Sequence, residues 1–169
     1  MIRICIIGPD STGKSTLCKQ LSERYGYRWE KEYAREYIER LDRHYTLSDL
    51  HNISRQIIKQ ISKNYKEEVV LFDTELIIMK VWYLHVYKAV PDNVLEAIKA
   101  YPMDMYLILT PDISIEPDPV RENLDKRDYF FEWYIKEAMQ TQRPYRIISG
   151  QGESRTQAAY DAINTFIRQ

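Results

Sequence analysis

The chain has 169 residues, enough for one domain that buries roughly two thirds of the surface its unfolded form would expose. Its 24 lysines and arginines nearly balance 25 aspartates and glutamates, so no net field directs it to nucleic acid or to an anionic membrane surface. No apolar run reaches the ~20 residues of a membrane span, and the expected partners are small molecules met in the cytoplasm.

Ile2, Ile4, Ile6 and Ile7 mark a buried strand, which opens directly into Gly8-Pro9-Asp10-Ser11-Thr12-Gly13-Lys14-Ser15, with Thr16 following. The spacing GxxxxGK[ST], between a strand and a helix, is that of a phosphate-binding loop. Gly8 and Gly13 let the backbone curl round an anion so that Asp10, Ser11, Thr12 and Gly13 present their N–H groups to it. Lys14 adds a mobile charge for the β- and γ-phosphates of ATP, and the Ser15 hydroxyl can ligate Mg²⁺. Cys5 in the strand and Cys18 in the helix read as core thiols of a reducing compartment, and with the core strand starting at Ile2 no targeting segment is expected.

The first helix is predicted over 14–25, ending before Gly26, a suitable C-terminal cap. Tyr27–Trp29 reads as a short strand and Glu30–Ile38 as a charged amphipathic helix. Thr46 or Ser48 caps a helix with Leu50, Ile53, Ile57 and Ile61 on one stripe, extending to Tyr65. Val69–Asp73 is an apolar run ending in an acid, the pattern of a central parallel strand with a functional carboxylate at its C-terminal end. A buried helix is expected over 75–87, where the apolar pattern alone also admits a strand; a short helix is expected from Pro91 to Ala100 and a strand over 104–109. The proline-bearing, charged stretch 114–127 reads as a loop, and loops of that length are often functional lids. A helix over 128–142 turns Phe130, Trp133, Tyr134 and Ala138 inward. A strand over 145–148, a glycine turn at 149–152 and a last helix capped by Ser154 complete the chain. Alternating strands and helices imply a three-layer α/β/α sandwich on a mainly parallel sheet, the P-loop nucleoside triphosphate hydrolase and kinase fold.

Asp73, at the mouth of its strand, can hold the water shell of Mg²⁺ or accept a proton from an attacking hydroxyl. Arg121 and Arg127 lie on the 114–127 stretch with no packing reason evident in the sequence, and guanidinium groups there can bind a phosphate as charge shifts. His44, His51 and His85 have neither metal-ligand spacing nor a nucleophile partner and read as structural. Two readings of function remain at this level: a small-molecule kinase, or an ATP-binding regulatory module that hydrolyses slowly.

The ordered set GPDSTGKST, EYAREY at 32–37, VVLFDT at 69–74, YLILTPDI at 106–113, EPDPVREN at 116–123, DKR at 125–127 and ISG at 148–150 resembles the NadR-like P-loop family, which includes the nicotinamide riboside kinase domain of NadR proteins. The resemblance spans essentially the whole chain. It implies transfer of the γ-phosphoryl group of ATP to the 5′-hydroxyl of nicotinamide riboside, a step of NAD salvage. By the same resemblance Lys14, Ser15 and Thr16 serve ATP and Mg²⁺, and Asp73 serves metal or proton transfer. Arg121 and Arg127 would then serve a lid, and Glu32, Tyr33 and Arg35 would face the acceptor. In the kinase reading Asp73 or Glu32 orients the acceptor hydroxyl, and the adenine is expected against the Gly150–Gly152 turn.

Overall fold

A computed structural model describes residues 1–114 and 124–168. Arg121 and most of the expected lid lie outside the described residues. The elements in chain order are β1 (Ile2–Ile7), α1 (Lys14–Tyr25), β2 (Arg28–Glu30), α2 (Tyr33–Glu39), α3 (Leu47–Ile61), β3 (Val69–Asp73), α4 (Leu76–Tyr87), α5 (Asp92–Ala100), β4 (Met105–Leu109), α6 (Arg127–Gln140), β5 (Tyr145–Ile148) and α7 (Gly152–Ile167), with a 3₁₀ turn at Leu124–Lys126 before α6. All strand pairs are parallel and the sheet order is β2-β3-β1-β4-β5.

The period-two alternation of the strands divides the core in two. Cys5, Ile7, Val70, Phe72, Tyr106 and Ile108 face a cluster filled by α3, α4, α5 and α6. Ile4, Ile6, Leu71, Leu107 and Leu109 face the opposite cluster, filled by Leu17 and Leu21 of α1 and Ala159 and Ile163 of α7. Both cysteines are buried and free, one in each cluster. The central strands are buried on both faces, which is why they read as continuous apolar runs.

Several boundaries differ from the sequence reading, each for a local reason. The stretch 30–38 is not one helix: Glu30 belongs to β2 and Glu32 is the N-cap of α2. The helix after Thr46 stops at Ile61, and its start is fixed by Asp49, whose carboxylate accepts from the Thr46 N–H and hydroxyl at 2.7 Å each. Helix α7 begins at Gly152 with Gln151 as N-cap, so Ser154 lies inside its first turn, where its hydroxyl donates to the Gln151 carbonyl at 2.9 Å. Arg127 is not on a loop; it opens α6 and is only 8% exposed.

Candidate active site

Strand β1 sits between β3 and β4, so the loop after it leaves the sheet beside the ends of both neighbours. Gly8 has φ 155°, and a Cβ there would stand 2.9 Å from the Leu109 carbonyl oxygen, so only glycine lets the chain pass β4 at this point. Ser11 (φ 58°) and Gly13 (φ 76°) both take left-handed backbone, and Gly13 opens α1. Such alternation makes a concave nest of amides suited to an anion. The Thr12 hydroxyl ties the loop by donating to the Pro9 carbonyl at 2.8 Å. Lys14 curls back across it and donates to the Gly8 and Pro9 carbonyls, each at 3.0 Å.

Ile6 is in register with Asp73, which places that carboxylate alongside the start of the loop. Asp73 is 1% exposed, and both of its oxygens lack a hydrogen-bond partner among the described residues. Burial raises its pKa, while the Ser15 hydroxyl and the Lys14 charge oppose the shift. A buried acid with two unsatisfied oxygens near Ser15 fits a hydrated divalent cation held jointly with substrate phosphates. The described residues contain no cluster of three or more histidine, cysteine or acidic side chains that would hold a metal unaided. After Asp73 the chain kinks: Thr74 takes φ 73°, a left-handed conformation that costs a β-branched residue, with its hydroxyl buried and unpartnered.

Glu32 lines the cavity into which the phosphate loop opens, whereas Asp73 is not part of its lining, and the Glu32 side chain makes no capping bond to α2. Strand β2 pairs with β3 and not with β1, so Glu32 approaches the loop from beyond the end of β3. Burial pushes the Glu32 carboxyl up to about 7; Asp73 and Asp10 add to the shift, whereas Lys14 and Arg35 counter it. Arg35 also faces the cavity and pairs with Glu39 at 2.7 Å. Tyr33 does not line it, packing instead against the core with its ring 6.0 Å from Tyr37.

The cavity holds about 920 Å³, at the upper end of the ~300–1,000 Å³ of small-molecule sites. Its lining includes the whole loop from Gly8 to Thr16 and, from the β5–α7 turn, Gln151 and Gly152; Gly150 is not part of it. Ile38, Tyr45, Ile78, Trp82, Phe130 and Tyr134 also line it. Ile78 and Trp82 are four apart on α4 and so share a face. The Trp82 indole N–H donates to the Tyr45 hydroxyl at 2.8 Å, with the rings edge to face. His44 and His85 line the cavity as well; the His85 ring packs edge to face on Phe130, with centroids 5.0 Å apart.

Two arginines brace the loop: Arg127, expected from the sequence as a lid group that meets phosphate, is instead turned onto backbone carbonyls, and Arg155 carries no motif. Arg127 donates to the Ser11 carbonyl at 3.2 Å and to the Ile113 carbonyl at 3.1 Å. Arg155, 5% exposed, donates to the Thr12 carbonyl at 2.6 Å and to the Thr110 carbonyl at 3.1 Å, and is ion-paired with Asp112. Asp112 in turn accepts from the Gly150 N–H at 2.8 Å. One signal was present: Arg155 falls in step with Ala159 and Ile163 on the buried stripe of α7, and Arg127 with Phe130 and Tyr134 on that of α6. An arginine in register with an apolar stripe is buried by the helix that carries it, and a buried guanidinium needs acceptors.

A family model described as an AAA domain matches residues 3–155. No curated protein matches the sequence. Among solved structures the chain is similar to a NadR protein in complex with NR, with a TM-score of 0.83 and 19% identity over 98% of this chain and 50% of that one. A NadR protein in complex with NAD and AMP-PNP gives 0.74 and 22% over 98% and 49%. Deoxyadenosine kinase from M. mycoides, with products dCMP and dCDP, gives 0.58 and 17% over 97% and 100%. The chain thus spans about half the length of the NadR chains it matches. By its sequence the chain belongs to the AAA domain family, and its fold is that of the NadR-like P-loop kinases.

Proposed function

We propose that the protein is an ATP-dependent small-molecule kinase that transfers the γ-phosphoryl group to the 5′-hydroxyl of a nucleoside, nicotinamide riboside being the first candidate. The observation that carries this reading is the continuity of the cavity. The same cavity is lined both by the phosphate loop and by Ile38, Tyr45, Ile78, Trp82, Phe130 and Tyr134, an apolar and aromatic surface that ATP hydrolysis alone would not need. The NadR structure with NR and the deoxyadenosine kinase share the fold and support a nucleoside acceptor.

In this reading Lys14 leaves the Gly8 and Pro9 carbonyls to neutralise the β- and γ-phosphates, and the loop amides hold them in place. Mg²⁺, when bound, would be held by Ser15 and Asp73 and would supply charge neutralisation on the transferring group. Glu32 orients the acceptor hydroxyl and takes its proton, a role suited to a carboxyl whose pKa is about 7. The aromatic lining excludes water, favouring transfer to the acceptor over hydrolysis.

Incubation with Mg-ATP and a panel of nucleosides tests the proposal. Phosphorylated product in equal amount to ADP is expected. Slow ADP formation that ignores every nucleoside would instead identify an ATP-driven regulatory module.

A further inference from the structure

We propose that Arg127 and Arg155 are positioning residues that set the direction of the phosphate-loop amides by holding the opposite ends of the same peptide units. The inference rests on the nucleotide-binding half of the reading above and is independent of the acceptor.

A trans peptide is planar, with its C=O and N–H pointing in opposite directions. The Ser11 carbonyl belongs to the peptide that carries the Thr12 N–H, and the Thr12 carbonyl to the one that carries the Gly13 N–H. Arg127 fixes the first carbonyl at 3.2 Å and Arg155 the second at 2.6 Å. Each guanidinium therefore turns one N–H to the side away from itself. Among the described residues neither N–H donates to a backbone carbonyl, as expected of donors kept for a ligand. The positive charges also polarise the two peptides in the sense that strengthens donation.

The loop needs such a brace because its own conformation is costly. Ser11, a residue with a Cβ, is left-handed at φ 58° and is followed within two residues by the left-handed Gly13. Without the guanidinium clamps either peptide could flip and present a carbonyl oxygen to the phosphate. Both arginines are buried, at 8% and 5% exposure, and are anchored away from the loop: Arg127 on Ile113, Arg155 on Thr110 and Asp112. Asp112 also accepts the Gly150 N–H, so Arg155 links the phosphate loop to the β5–α7 turn, whose Gln151 and Gly152 line the same cavity.

The test separates the phosphate cradle from the rest of the nucleotide site. Inorganic tripolyphosphate probes the loop alone, adenosine probes the remainder, and calorimetry measures both on the full chain. Arg155→Met and Arg127→Met should each weaken tripolyphosphate by ~10-fold or more while adenosine affinity stays within about twofold. Arg155→Lys and Arg127→Lys, which keep the charge but lose the planar fork, should fall between. If a Met variant does not fold, the Lys variant of the same position decides, since it must still bind tripolyphosphate more weakly than the parent. Unchanged tripolyphosphate affinity in the folded variants overturns the inference, and so does equal loss of both probes, which is the signature of a merely structural role. A parent protein that binds tripolyphosphate but phosphorylates no nucleoside would sink the kinase proposal and leave this one standing.

Discussion

The pH dependence of phosphoryl transfer is where the burial of Glu32 becomes measurable. With its carboxyl pushed up to about 7, Glu32 is half ionised at neutral pH. If the carboxylate form takes the acceptor proton, the ionised fraction rises about tenfold between pH 6 and pH 8. An ordinary glutamate, with a pKa near 4.3, would give a flat profile over the same range. Glu32→Gln keeps the shape and removes the base, so turnover at pH 8 should fall by ~10²-fold or more, about 2.7 kcal/mol of transition-state stabilisation. The limb near pH 7 should disappear in the variant, while ATP affinity stays within a few-fold. Lys14 holds the Glu32 pKa down, so whatever activity survives in Lys14→Ala should show the limb at higher pH. The assay is chromatographic product formation at saturating ATP and acceptor from pH 5.5 to 8.5, with ATP affinity measured at each pH. A flat profile in the parent, or full activity in Glu32→Gln with its best acceptor, refutes the placement and leaves Asp73 as the candidate base.

Lys14→Ala should abolish transfer and weaken ATP binding, because its ammonium already spans the mouth of the loop; near-normal turnover would end the phosphoryl-transfer reading. Arg121→Ala is expected to lower kcat by ~10²-fold with little change in thermal stability, and an unchanged kcat would reduce Arg121 to surface charge. Glu75 is 3% exposed and its carboxyl is pushed up to about 7 by burial, against the amides of Ile77 and Leu76. A raised carboxyl stabilises the fold in its neutral form, fully below pH ~4.5, and this contribution fades as pH rises through 7. From Glu75 alone the parent should lose up to about 3 kcal/mol between pH 4.5 and 8, and Glu75→Gln should abolish that loss in denaturant titrations; parallel profiles for the two proteins would show that the carboxyl is solvated.

The centre of the sheet was legible because its strands are buried on both faces: Val69–Asp73 could be bounded to the residue from its apolar run and flanks. The edge strand Tyr145–Ile148 is half exposed and was bounded by Pro144 before it and the glycine turn after it. The phosphate loop was legible because Gly8, Gly13, Lys14 and Ser15 answer to local geometry. What sequence could not show was pairing at a distance. That β2 joins β3 and not β1 depends on long-range strand order, and it moves Glu32 to the far side of Asp73. Arg127 reads as a loop charge in the sequence because the acceptors that bury it, the Ser11 and Ile113 carbonyls, come from other parts of the chain. The acceptors of Arg155, the Thr12 and Thr110 carbonyls, are likewise remote in the chain. Trp82 and Tyr45 meet only in three dimensions, 37 residues apart.

The left-handed turn at Thr74 has a consequence for any attempt to harden the protein against heat. Threonine in that conformation, with its hydroxyl buried and unpartnered, makes the junction of β3 and α4 a weak point of the fold. Glycine or asparagine would relax it, by about 1 kcal/mol. A screen that rewards survival at high temperature should therefore return substitutions at this position early. It should return them with impaired catalysis, because the same kink fixes the carboxylates of Asp73 and Glu75 on either side of it. Thermal selection and functional selection would pull residue 74 in opposite directions, and a library sorted on both together would retain threonine.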